Sequence, residues 1–289
     1  MKRRLIVGCG YLGERVAAAW HAAGDTVHAV TRSAERAEAW RARGWQPAVA
    51  DVTRPETLVD LPPVDTLLFA VGYDRRAGHK IDAVYVDGLR HTLDALQSPP
   101  ERIVYISSTG VYGSGGGAWV DESSPCEPLR DGGRACLAAE GVLREHRWGE
   151  RSVILRLAGI YGPGRIPRVA SLLANEPIDA PAEGYLNLIH VDDAVQVVQI
   201  AAERAPLPAL YVVSDGHPAV RGDYYRELAA LVGAPPPKFV PPAADSPAAA
   251  RAAADKRVRN ERLLGDLAVT LRYPSYREGL RQIVAFNEG

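Results

Sequence analysis

Six residues near the start of the chain restrict its fold more than any others. Gly8-Cys9-Gly10-Tyr11-Leu12-Gly13 follows the apolar run Leu5-Ile6-Val7, and Leu12, Val16, Ala17 and Trp20 then recur at helical spacing. A GxGxxG that leaves a short strand and opens a helix is the turn of a β-α-β unit that cradles a pyrophosphate. Each glycine has its own reason: Gly8 for the tight turn, Gly10 for close approach of a phosphate to the backbone, Gly13 for close packing of helix on strand. The helix then offers unpaired N–H groups to the phosphates. A glycine-rich turn without a ligand is the competing reading, and the strand-turn-helix context counts against it. The residues expected to hold a cofactor here are Gly8, Gly10, Tyr11, Leu12 and Gly13.

The remaining pattern extends this unit. Apolar runs of strand length at 26–30, 47–52, 66–71, 102–107 and 153–157 alternate with helical periodicity at 34–43, 81–96 and 134–147. Further strands are expected at 186–190 and 209–213, around a helix at 194–204. A Pro-rich stretch, 235–242, and an Ala-rich one, 245–255, read as a loop feeding a surface helix. Strands separated by helices of this length predict an α/β fold of Rossmann type, a doubly wound parallel sheet with helices on both faces.

The choice of dinucleotide is made after the second strand. An NAD site places an acidic residue about 20 positions past the glycines, to take the ribose hydroxyls. Here the positions carry Thr31-Arg32-Ser33, with Arg36 one turn further. A guanidinium suits a 2′-phosphate, so Arg32 and Ser33 are expected to bind NADP in preference to NAD. Asp51, Ala70 and Ser107, near the ends of later strands, complete the expected cofactor set.

Composition narrows the partners. A chain of 289 residues can bury one large core or two joined lobes, and its net charge of -1 gives no general pull toward nucleic acid or an anionic membrane. Cys9, Cys126 and Cys136 show neither CxxC pairing nor zinc spacing, which suits a reducing compartment. Met1-Lys2-Arg3-Arg4 before Leu5-Ile6-Val7-Gly8-Cys9 resembles an export signal, but only three apolar residues precede the glycine. A secretory segment needs roughly 7–15. The expectation is a cytoplasmic protein acting on a small molecule, with no nucleic-acid or membrane partner and no metal.

Four segments carry a family resemblance. Ser107-Ser108-Thr109-Gly110-Val111-Tyr112-Gly113 is similar to the SSxxVYG segment of extended short-chain dehydrogenases/reductases of the NAD-dependent epimerase/dehydratase type. Tyr85-Val86-Asp87-Gly88 resembles their NVxGT helix start, with Tyr85 in place of asparagine. Leu155-Arg156-Leu157-Ala158-Gly159-Ile160-Tyr161-Gly162-Pro163-Gly164 resembles their LRxxxxYGPG strand and turn. Leu188-Ile189-His190-Val191-Asp192-Asp193 resembles FVHVDD. The resemblance implies a Rossmann domain from 1–158 and 187–213. It also implies a smaller, largely C-terminal substrate lobe from 159–186 and 214–289.

The resemblance breaks where the family keeps its active-site pair. Extended members carry Tyr-x-x-x-Lys on the helix after the serine strand, on one helical face. In this chain the matching segment is Gly132-Gly133-Arg134-Ala135-Cys136-Leu137-Ala138-Ala139-Glu140, with Gly132 at the tyrosine position and Cys136 at the lysine position. The lysines Lys2, Lys80, Lys238 and Lys256 are not four residues after any tyrosine. This matches the atypical branch of the superfamily. Ser108 then matches the family's active-site hydroxyl, and Tyr112 and Arg134 are candidate replacements for the relay. Cys136 reads as a packing residue and His190 as a structural one.

Substrate contacts are expected from Arg75, Arg76, His79 and Lys80, on the loop after the fourth strand, and from Arg165 after the GPG turn. Loops at strand C-terminal ends line the ligand crevice of open α/β sheets, and this loop is expected to overhang the nicotinamide half. Four basic groups there suggest an anionic substrate. Two functions stand side by side. One is an NADP-dependent oxidoreductase or epimerase/dehydratase-like enzyme on a small anionic or sugar-derived substrate. The other is a non-catalytic NADP(H)-binding protein with a structural or redox-sensing role.

Overall fold

The computed structural model describes residues 1–113 and 115–287. The chain divides into two units, the first made of Met1–Ser108, Asp131–Arg156 and Val195–Tyr211. Its sheet is assembled from β1 (Arg3–Val7), β2 (Thr26–Thr31), β3 (Gln46–Val49), β4 (Thr66–Phe69), β5 (Arg102–Ser108), β6 (Ser152–Leu157) and β7 (Ala209–Val213). The helices α1 (Tyr11–Ala22), α2 (Ala34–Ala42), α3 (Gly88–Ala95), α4 (Asp131–Glu145) and α5 (Val191–Arg204) flank or connect them. The strand order is β7-β6-β5-β4-β1-β2-β3, a parallel sheet of Rossmann type as the alternating pattern predicts. The order reverses between β1 and β4. That switch point is where an open α/β sheet binds ligands, beyond the carboxyl ends of the strands.

Continuous apolar runs explain the central strands. Leu5, Val7, Leu67, Phe69, Ile103, Tyr105 and Ile154 enter one core with Leu89, Leu93, Ala139 and Leu143 from α3 and α4. Strands covered on both faces read as unbroken hydrophobic stretches, as β4 does with all four residues buried. At the N-terminal end of β1, Arg4 is buried with its guanidinium on Asp25, Thr66 and Glu203 and stacked 5.1 Å over the Trp20 ring. One of the basic residues that gave the start of the chain its export-signal look is thus a buried strand-to-helix tie.

The second unit comprises Thr109–Arg130, Leu157–Ala194 and Val212–Gly289. It therefore takes in 109–130 and 187–194, which the sequence reading assigned to the Rossmann domain. Short strand pairs build it: 159–161 with 188–190, 178–179 with 239–240 and 119–120 with 257–258 in parallel, and 185–186 with 219–220 antiparallel. Tyr161, Leu172, Ile178, Leu188, Tyr224, Leu228, Leu280 and Ile283 form its core. The Ala-rich stretch is helical over Pro247–Ala253, as its composition suggests. Among the described residues no helix is long and apolar enough to cross a membrane.

Candidate functional site

The phosphate loop is built as its glycines require. Gly8 has φ +94°, and a Cβ there would stand 2.3 Å from the backbone of Ala70 and Val71 at the exit of β4. A Cβ on Gly13 would meet the Gly8 carbonyl oxygen at 2.6 Å and Ile6 Cγ2 at 3.2 Å, so α1 can lie close on β1 only with glycine there. Gly10 differs, because a Cβ on it would meet nothing within 4 Å. That open face is a cradle at the start of α1, whose first turn has no side-chain cap. First-turn N–H groups lack intrahelical partners, and the arrangement fits a pyrophosphate. The hydrogen bonds Gly10 N–H to Gly8 O (2.9 Å) and Glu14 N–H to Gly10 O (2.8 Å) fix the turn.

The residues after β2 and β3 sit as a ribose-binding edge would need. Ser33 caps α2, its Oγ accepting the Arg36 N–H at 3.2 Å. Arg36 does not reach outward: it donates to the Cys9 carbonyl at 2.9 Å and faces Glu14 at 3.6 Å, bracing the phosphate loop. Arg32 is the freer cation, about half exposed and 3.9 Å from an equally exposed Asp74. An exposed pair at that distance holds the guanidinium weakly, so a phosphate can displace it. Burial alone would raise the Asp51 carboxyl, but two hydrogen bonds from Thr53, with Arg32 and His79 nearby, hold it below the usual range.

Several expected contacts are placed differently. The loop after β4 returns toward β2 and β3, where Asp74 faces Arg32 and His79 acts on Asp51, so it does not overhang the nicotinamide half. Arg75, Arg76 and Lys80 are exposed on it and His79 is half-buried, so the four do not converge on one anion cradle. The Ser107 hydroxyl is buried and donates to Glu140 at 2.7 Å, so that hydroxyl serves the Glu140 cluster. Arg134 lies exposed in the first turn of α4 with Asp131 at 2.6 Å. Tyr112 is 1% exposed, buried in the second unit, and offers a ligand no surface. Ser108 ends β5 and is half-buried. Arg165 closes a tight turn on Gly162 and lines a groove of about 990 Å³ with Ile166, Pro167, Val169, Leu173 and the end of the helix Arg221–Leu231.

The two positions that the sequence reading aligns with the family's tyrosine and lysine differ in their surroundings. A Cβ on Gly132 would meet only Ile81 Cδ1, at 3.9 Å. Cys136 is buried and shares a hydrogen bond with the Tyr105 hydroxyl, and burial pushes its thiol up to about 11. A thiol so desolvated is inert at neutral pH. Burial likewise pushes Cys9 up to about 12.

Other groups carry no sequence signal. Glu140, fully buried, accepts Arg156 Nε and Nη2 on its two oxygens at 2.9 and 2.6 Å, with Arg144 at 2.8 Å and the Ser107 hydroxyl at 2.7 Å. In the second unit the buried Lys256 donates to the Tyr112 carbonyl at 3.2 Å, and desolvation, with Arg130 beside it, lowers its amine to about 8. Asp215 is buried with Oδ1 on the His217 N–H, while Oδ2 has no partner among the described residues. Desolvation, with Asp193 and Glu278 adding, raises its carboxyl to about 8. Nothing in the composition around these positions marks them, because their state depends on what packs over them.

Comparison with known proteins agrees with this geometry. The model of the NAD dependent epimerase/dehydratase family matches residues 5–214. Protein YeeZ of Escherichia coli is 31% identical over 246 residues, covering 83% of this chain and 87% of its own. A 3-diazoavenalumate denitrifying reductase of a Streptomyces species is 26% identical over 96% of this chain and 99% of its own. A conserved protein of Silicibacter pomeroyi superposes over the full length of both chains, with TM-score 0.77 and 30% identity.

Proposed function

The chain belongs to the NAD-dependent epimerase/dehydratase family, and from that premise we propose that it is an NADP(H)-dependent oxidoreductase acting on a small anionic or sugar-derived molecule. The observation that carries the cofactor choice is the edge after β2. Arg32 stands there in a weak exposed pair with Asp74, Ser33 is beside it at the start of α2, and no acidic residue lies within Thr31–Ser33 to repel a 2′-phosphate. The reductase named among the relatives supports hydride transfer as the reaction class. Ser108, at the end of β5, is the hydroxyl proposed to meet the reacting oxygen. Gly132 and Cys136 in place of a tyrosine and a lysine mean that a proton must come from elsewhere.

That vacancy also favours a second reading, in which the protein binds NADP(H) without turning it over. One experiment separates the two. NADPH and NADH are titrated first, then NADPH oxidation is followed against a panel of carboxylated and sugar-derived carbonyl compounds. Preferential NADPH binding with turnover of any member supports the enzyme. Preferential binding without turnover moves the reading to a sensor, and tighter binding of NADH overturns the NADP assignment.

A further inference from the structure

One phenol at the carboxyl edge of the first unit has no role so far. Tyr85 is the middle residue of a π-turn, Ala83–Asp87, that leads into α3. Insertions of this kind in helices frequently accompany functional sites. Its hydroxyl accepts the Tyr73 N–H at 3.2 Å, and the two rings meet edge-on with centroids 6.4 Å apart. Tyr73 lies on the chain leaving β4, just beyond the Ala70–Val71 backbone that packs against Gly8 of the phosphate loop. Tyr85 also feels the Cys136 thiol of α4, which in turn is bonded to Tyr105 of β5. These contacts put Tyr85 next to Cys136 of α4, between the exits of β4 and β5, while its partner Tyr73 leads into the stretch that turns back to Arg32 and Asp51.

A dinucleotide with its pyrophosphate on the phosphate loop spans that switch point, one nucleoside to each side. The β2–β3 side has its ribose-binding groups already; the β4–β5 side has lost the pair that the related proteins place on α4. A phenol oxygen has two lone pairs and one proton. Tyr73 uses one lone pair, and no described residue accepts the proton. Burial, with Cys136 adding, raises the phenol above its usual range, so it stays neutral and keeps that proton to donate.

We propose that Tyr85 is a ligand of the nicotinamide-side ribose, its hydroxyl donating to a ribose oxygen while the Tyr73 N–H holds it in place. The proposal rests on the dinucleotide reading above, and the two can fail separately. Wild type and Tyr85→Phe are titrated calorimetrically with NADPH and with 2′,5′-ADP, which has the adenosine half alone. The phenylalanine variant should bind NADPH about 5- to 10-fold more weakly, bind 2′,5′-ADP as wild type does, and unfold at the same midpoint. Unchanged NADPH affinity overturns the proposal. Equal weakening on both ligands overturns it as well, and makes Tyr85 a prop for the loop after β4. If NADH proves the tighter ligand, NADH and 5′-ADP replace the pair and the same outcomes decide. Wild-type protein that binds neither dinucleotide overturns the cofactor reading itself, and this proposal with it.

Discussion

Arg32 is the residue on which the proposed cofactor preference turns. Among the described residues its one ion-pair partner is Asp74, 3.9 Å away and exposed, so little must be given up when a phosphate takes the guanidinium. A charge-assisted contact of that kind is worth roughly 1.5–3 kcal/mol. Arg32→Asp should therefore weaken NADPH by about 10- to 100-fold and improve NADH, because a carboxylate repels the 2′-phosphate and accepts ribose hydroxyls. Fluorescence titration of both cofactors checks this; a variant that keeps the wild-type ratio would remove Arg32 from the site. Arg36 resembles Arg32 in sequence but not in role. Its guanidinium is spent on the Cys9 carbonyl, a long-range contact that no local pattern announces.

At the level of elements, the carboxylate of Glu140 joins α4 to β5 and β6. It is fully buried, and burial works against its charge, yet Arg156, with Ser107 and Arg144 behind it, holds the carboxyl below the usual range. A buried pair need not be more stable than an apolar one, but removing one partner strands the other. Glu140→Gln should lower stability by about 3–5 kcal/mol, read as a lower urea midpoint with an unchanged m-value. A loss below about 1 kcal/mol would show that Arg156 reaches water or another acceptor once the charge is gone. The elements themselves were legible: β7 spans 209–213 as its apolar run suggests, and α2 begins at Ala34 behind its Ser33 cap. The π-turn before α3 was not, since Ile81–Leu96 has ordinary helical spacing and the extra residue is an adjustment to what packs against it.

Across the whole molecule, stability should depend on pH through the second unit. Burial pushes the Asp215 carboxyl up to about 8 in the fold, from an ordinary value of 3.8 in the unfolded chain. Between those values the folded state binds the extra proton, so the contribution of Asp215 is full below about pH 4 and is lost as pH rises toward 8, at no more than about 1.4 kcal/mol per pH unit. Asp215→Asn keeps an acceptor for the His217 N–H and removes the slope, so it should stabilise the protein more at pH 7.5 than at pH 4.5. Urea midpoints of both proteins at the two pH values test this, and an identical difference at both would sink it. The sequence by itself determined the α/β class, the parallel sheet, the glycine turn after β1 and the family, because these follow from periodicity, from glycine geometry and from short contiguous motifs. Only the tertiary structure decided that Ser107 serves Glu140, that Tyr112 is buried, that the 73–80 loop turns back toward Arg32, and that Lys256 and Asp215 are desolvated. Each of those depends on burial or on partners distant in the chain, and desolvation is a property of the packed surroundings that no local run of residues contains.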